Sequence, residues 1–169
     1  PPGPAFSHPK GGRANDKPTR ASMTDKVPQA RIQRAYSVAK FGDADLERLH
    51  VLSQILGGSK SSRLDFRLLF KDKLVDRIWT SIDDFELNST FTIGADVKAG
   101  VDPQKVEAAI DEELQRLLKD GPSAAEVAQA RTFIKANFIR GIERIGGFTG
   151  KAGALAECAV YTGNPGCFR

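Results

Sequence analysis

The stretch Leu52–Asp76, LSQILGGSKSSRLDFRLLFKDKLVD, constrains the fold of this chain more than any other. Its apolar residues keep helical spacing up to Gly57-Gly58, resume it after the serines, and then give way to the period-two spacing of strands. Helix, glycine break, helix and strand in immediate succession leave little freedom: both helices must pack on whatever sheet the strand joins.

The first of these helices starts at Asp43, whose carboxylate can accept from the free amides of the first turn. Leu46, Leu49, Leu52, Ile55 and Leu56 fall on one face. Gly57-Gly58 ends it where a left-handed residue is expected. The second restarts at Ser61 or Ser62, with Leu64, Phe66, Leu68 and Phe70 as inward candidates, and stops near Lys73. Upstream, Arg31–Val38 alternates loosely, Ile32, Tyr36 and Val38 against Arg31, Gln33 and Ser37, and reads as a strand. Downstream, Arg77–Phe85 and Ser89–Lys98 read as a hairpin. In its second strand Phe91, Ile93, Ala95 and Val97 alternate with Thr92, Gly94, Asp96 and Lys98, which predicts one buried face and one wet or lightly covered face.

Asp102-Pro103 opens the next helix with a capping acid and a proline at the first helical position. Its stripe is Val106, Ala109, Ile110, Leu114, Leu117 and Leu118, and Gly121-Pro122 stops it. Ser123 with Glu126 forms a capping box for a long helix through Val127, Ala130, Ile134, Phe138, Ile142 and Ile145 to Gly146-Gly147. A short helix from about Lys151 to Val160 and the turn Gly163-Asn164-Pro165-Gly166 close the chain. The expected fold class is α+β: a two-layer sandwich, a mostly antiparallel sheet with helices packed on one face.

The 169 residues suit one domain that buries about 70% of its unfolded surface. Residues 1–26 hold Pro, Gly, Ser, Asn and Lys with almost nothing to bury and read as a linker or flexible lead-in, leaving 27–169 as the single domain. The chain opens on Pro1 rather than Met, which suggests a piece of something longer. Much of the net charge of +4 sits in the lead-in, at Lys10, Arg13, Lys17, Arg20 and Lys26. No aromatic residues are interleaved among these basic positions for base stacking, so a solvated linker is favoured over a nucleic-acid grip and no nucleic-acid partner is expected. No apolar run approaches the roughly 20 residues of a membrane span, so no membrane partner is expected either. Cys158 and Cys167, with eight residues between them, can form one bridge if the compartment is oxidising, but two cysteines say little about the redox setting.

Few residues offer chemistry. A zinc site needs three or four converging His, Cys, Asp or Glu. The only histidines are His8 in the lead-in and His50 within a helix, and neither belongs to an H-x-x-E-H or H-E-x-x-H motif. Gly57–Ser62 resembles a phosphate cradle only superficially, since Lys60 follows Ser59 and a helix, not a strand, precedes the loop. There is no G-x-S-x-G, and neither cysteine has a histidine near it in sequence to act as base. The acidic run Asp111-Glu112-Glu113 and the basic residues Arg131, Lys135, Arg140 and Arg144 read as solvated helix faces, with Arg131 and Lys135 able to form a docking surface. No catalytic, metal-binding or substrate-binding residue is assigned.

The motifs ILGG-x-K-SSRL (Ile55–Leu64), TIGADVKAGVD (Thr92–Asp102) and LKDGPSAAEVAQAR (Leu118–Arg131) resemble the second domain of a half in the pitrilysin/insulinase zinc metallopeptidases. ERIGGFTGKAGALAE (Glu143–Glu157) and VYTGNP (Val160–Pro165) are similar to the long bacterial members that carry two such halves. The resemblance spans roughly Val27–Cys167 and implies two α/β domains per half, closing around a peptide-sized chamber. Zinc is implied for another domain, bound by H-x-x-E-H, and no cofactor for this one. The implied partners are adjacent domains of the same parent chain and the parent's peptide substrate. Active distal halves also supply an arginine and, seven residues later, a tyrosine that hold the substrate carbonyl. Those positions fall here on Leu69 and Asp76, which cannot donate in that way. The chain therefore resembles the non-catalytic second domain of the zinc-bearing half, and the implied compartment is the periplasm or another exported location. The alternative is a scaffold domain of a family member that has lost catalysis; an H-x-x-E-H upstream of Pro1 favours the enzyme, its absence the scaffold. A weaker third reading is a stand-alone binding module that uses the basic tail.

Overall fold

The computed structural model describes residues 17–146 and 150–167. A three-stranded antiparallel sheet is built from β1 (Arg31–Val38), β2 (Val75–Asp83) and β3 (Ser89–Val97) in the order β1-β3-β2. The last strand of the hairpin is thus the central one, with Ala95 opposite both Ile32 and Ile78. Helices α1 (Ala44–Gly57), α2 (Pro103–Asp120), α3 (Ala124–Ile142) and α4 (Lys151–Thr162) complete the fold, together with a π-helix at Asp65–Lys71. The α+β class read from the sequence holds.

The core lies between one face of the sheet and the helices. Phe91, Ile93, Ala95 and Val97 of β3 meet Leu56 of α1, Leu64 and Leu68 beside and within the π-helix, and Val106, Ala109, Ile110 and Leu117 of α2. A fully buried Leu or Ile contributes about 1.5–3 kcal/mol against its exposed state, so this cluster carries most of the hydrophobic stabilisation. The signals at the helix starts act as read. The Asp43 and Asp102 carboxylates accept from the amides of Asp45 and Gln104, each at 2.9 Å. Ser123 and Glu126 close their capping box in both directions. Outside the sheet layer, α3 packs on α1, and α4 on α3.

Several expectations are corrected. Both faces of β3 are buried, Thr92 and Asp96 included, because the strand is central and Trp79 folds across it. Gly58 at the end of α1 is right-handed, at φ −88°, and a Cβ there would come within 2.8 Å of the Gln54 Cα, backbone that cannot swing aside. The second helix is a π-helix, closed by Asp72 N–H donating to Arg67 O (2.9 Å) and Leu74 N–H to Leu68 O (2.8 Å). The left-handed residue that ends it is Lys73, at φ 52°. Leu64 and Leu68 point inward, but Phe66 (61% exposed) and Phe70 do not, since they lie half a turn away. Leu118 is likewise exposed, off the buried stripe of α2. Helix α3 ends at Ile142, short of Ile145, where Arg144 O and Ile145 O accept instead from Lys151 and Ala152.

Candidate functional site

Three clusters bring charged side chains together. The first surrounds Arg67. Widening the helix to i→i+5 bonding sets Arg67 over Asp72, so that the guanidinium Nε donates to the Asp72 carboxylate at 2.6 Å while the backbone bond joins the same two residues. Its other nitrogens reach Glu112 at 2.6 Å and Glu113 at 3.2 Å on α2. Glu113 is only 3% exposed and also receives Arg116 at 2.9 Å. Its hydrogen bonds to Asp72 and Glu112 raise the Arg67 pKa above its ordinary value, so the guanidinium is permanently charged. Asp111 and Glu112 keep the exposed face read from the sequence, and only Glu113 departs from it. Asp111 pairs with Arg34 of β1, and the other two carboxylates clamp α2 to the π-helix. The Asp111-Glu112-Glu113 run was visible in the sequence; its partners on other elements, 45 to 77 residues distant, were not.

The second cluster is Arg63 with Glu126. The guanidinium donates to both carboxylate oxygens, at 2.6 and 2.9 Å, and to Gly121 O at 3.1 Å. Arg63, with the Ser123 amide and hydroxyl, pulls the Glu126 carboxyl down to about 2. One side chain thus caps α3 and ties it to the turn after α1.

The third is a groove of about 790 Å³ between α1 and α3, where Arg131 and Lys135 face Glu47 and His50. His50 Nε2 lies 3.1 Å from the Asp84 carboxylate. Arg131 and Lys135 do share a surface, as their spacing predicts, although the groove carries both signs of charge. On the described lead-in, Arg20 donates to both oxygens of Glu107 on α2 at 2.7 and 2.8 Å, so that part of the linker is tied down. His8, Lys10 and Arg13 lie outside the described residues.

Cys158 and Cys167 are joined to each other, with Cα atoms 5.5 Å apart, so neither is a free nucleophile. Among the described residues no group of three or more His, Cys, Asp or Glu gathers at metal-binding distance. The described residues do not fit zinc: His50 has one carboxylate beside it, and both thiols are spent. Leu69, partly buried, packs against the core, and Asp76 is exposed at the irregularity between Val75 and Arg77 in β2. No helix among the described residues is long and apolar enough to cross a membrane.

Residues 2–133 match the model of the peptidase M16 inactive domain. The chain belongs to this family. Peptidase M16 is the pitrilysin/insulinase group that the motifs resemble, and this chain is one of its non-catalytic domains. Among solved structures, a protease from Helicobacter pylori shares 26% identity at a TM-score of 0.73, over 82% of this chain and 33% of that one. The peptidase M16 inactive domain of Pseudomonas fluorescens shares 20% at 0.58, over 62% and 26%. An inactive peptidase domain from Bordetella parapertussis shares 21% at 0.70, over 86% and 78%; at these lower identities the likeness is one of fold. The M16 domain described here thus spans a third of the Helicobacter protease. A search of curated proteins finds no match.

Proposed function

We propose that this M16 inactive domain forms part of the wall of a peptide chamber in a zinc endopeptidase and supports the catalytic domain beside it. The observation that carries the reading is the pair Leu69 and Asp76. Where active halves hold a substrate carbonyl with Arg and Tyr, this domain offers an aliphatic side chain packed on the core and an exposed carboxylate. The likeness to a protease of which the matched part is only 33% supports a place within a larger chain. The zinc of that chain, held in another domain, supplies the activated water. The residues here contribute shape, water exclusion and a fixed sheet. The proposed domain begins at Val27, with residues 1–26 as lead-in. The Cys158–Cys167 bridge supports an oxidising, exported location.

The test is peptidase turnover by the isolated 169-residue chain, with and without added zinc, against a mixture of unstructured peptides. No metal-dependent cleavage is expected. Turnover that rises with zinc and vanishes with chelator overturns the reading.

A further inference from the structure

The sheet face turned away from the helices carries one built feature. Arg31, Asp96 and Arg77 stand abreast across β1, β3 and β2, and Gln33, Gly94 and Trp79 form the next rung. At Gly94 an added Cβ would come within 2.1 Å of the Trp79 ring, so the absent side chain is what lets the indole lie against the sheet. Two guanidinium groups flank the ring, Arg31 at 5.5 Å and Arg77 at 4.8 Å from its centroid. Their charges are balanced unequally. Asp96, buried between them, accepts from Arg31 Nε at 2.7 Å. Arg77 is exposed and, among the described residues, has no carboxylate partner.

A guanidinium above an aromatic ring is held by the ring's electron-rich face, and the N–H groups that no carboxylate of the chain takes up form a fork that matches a carboxylate. Beyond the indole the face carries a lane of small residues, exposed Ala35 beside buried Thr92 and half-buried Ser81 on one rung, and Ser37 and Thr90 with Asp83 on the next. Asp83 at its far end is six residues from Arg77, about 20 Å at strand rise, beyond the screening length of physiological salt. At the near end exposed Asp76 is offset by exposed Lys98, so the positive charge of Arg77 is left over.

We propose that this patch docks an acidic side chain of an extended peptide: the carboxylate accepts from Arg77, the peptide covers Trp79, and its backbone runs along the small-residue lane. The proposal deepens the chamber-wall reading and rests on it only for the identity of that peptide as the parent's substrate.

Trp79 is the only tryptophan of the chain, so its emission reports the site directly. The full 169-residue chain is titrated with a ten-residue glutamate-rich peptide and with glutamine and lysine versions of the same length. The glutamate peptide is expected to shift the emission saturably and to bind at least tenfold tighter than the glutamine peptide, with the lysine peptide silent. Arg77→Glu is expected to weaken the glutamate peptide at least tenfold and Arg77→Lys severalfold, with far-UV circular dichroism unchanged. Paired reversal of Arg131 and Lys135 in the distant groove leaves binding intact. Equal responses to glutamate and glutamine peptides, or undiminished binding by Arg77→Glu, overturn the proposal. Either result, with the isolated chain still inert toward peptides in zinc, leaves the chamber-wall reading standing. Zinc-dependent cleavage of a peptide that does bind overturns that reading and not the docking site.

Discussion

At the scale of single residues, the charged side chains divide by what they touch rather than by where they stand in sequence. Glu126 is the clearest case. Its carboxyl is pulled from 4.5 to about 2 in the folded chain, so its contribution is complete above pH 4.5 and is lost as the pH falls from 4.5 toward 2. A shift of that size corresponds to about 3 kcal/mol, but the pair is partly solvated and about 1 kcal/mol is the realistic share. Urea unfolding followed between pH 6 and pH 3 should show Glu126→Gln losing about that much less stability on acidification than the parent chain. Equal slopes would leave the Arg63 pair without a role. Glu113 teaches a related lesson. In sequence it is the third acid of a run on a helix. In the fold it is nearly sealed from water and is tolerable only because Arg67 and Arg116 both reach it.

At the scale of elements, what could be read were starts and stops, and what could not were partners. The Asp43, Asp102 and Ser123 caps, and strand β1 at Arg31–Val38, stand where local chemistry puts them. Caps and alternation act over a few residues and leave a direct mark in sequence. The π-helix leaves none, because one extra residue per turn hardly alters the apolar spacing of Leu64 and Leu68. Helix α4 is held differently from the others. Cys158 is its only buried side chain, and Tyr161 adds a ring contact with Phe41 at 4.9 Å. The bridge to Cys167 ties the Gly163–Gly166 turn back onto it across nine residues of sequence. Closing a loop of that length is worth at most about 3 kcal/mol of chain entropy. Replacing both cysteines by serine should therefore speed amide hydrogen exchange through α4 while leaving the amides of β3 unchanged. Loss of protection throughout the sheet would mean that α4 belongs to the main cooperative unit.

At the scale of the whole molecule, the core occupies one side of the sheet, and the described lead-in lies outside it. Residues 17–26 are exposed, and the pair of Arg20 with Glu107 is a surface contact. A chain beginning at the proposed boundary, Val27, should keep the thermal unfolding midpoint of the longer one within measurement error. A clear drop would move the boundary toward the N-terminus. The opposite face of the sheet, with its stacked arginines and lane of small residues, is the surface through which this domain can meet a peptide.

The sequence by itself determined the class of the fold, the position of nearly every element and, through its motifs, the family. These are local properties, set by apolar period, capping side chains and glycine, which act within a turn or a rung. Only the tertiary structure decided that β3 is central and buried on both faces, that Phe66, Phe70 and Leu118 face outward, and that Arg67, Arg63 and Arg77 have such different surroundings. Those outcomes depend on which elements become neighbours, and a charge or an aromatic ring does not carry in its own sequence the identity of what will lie against it.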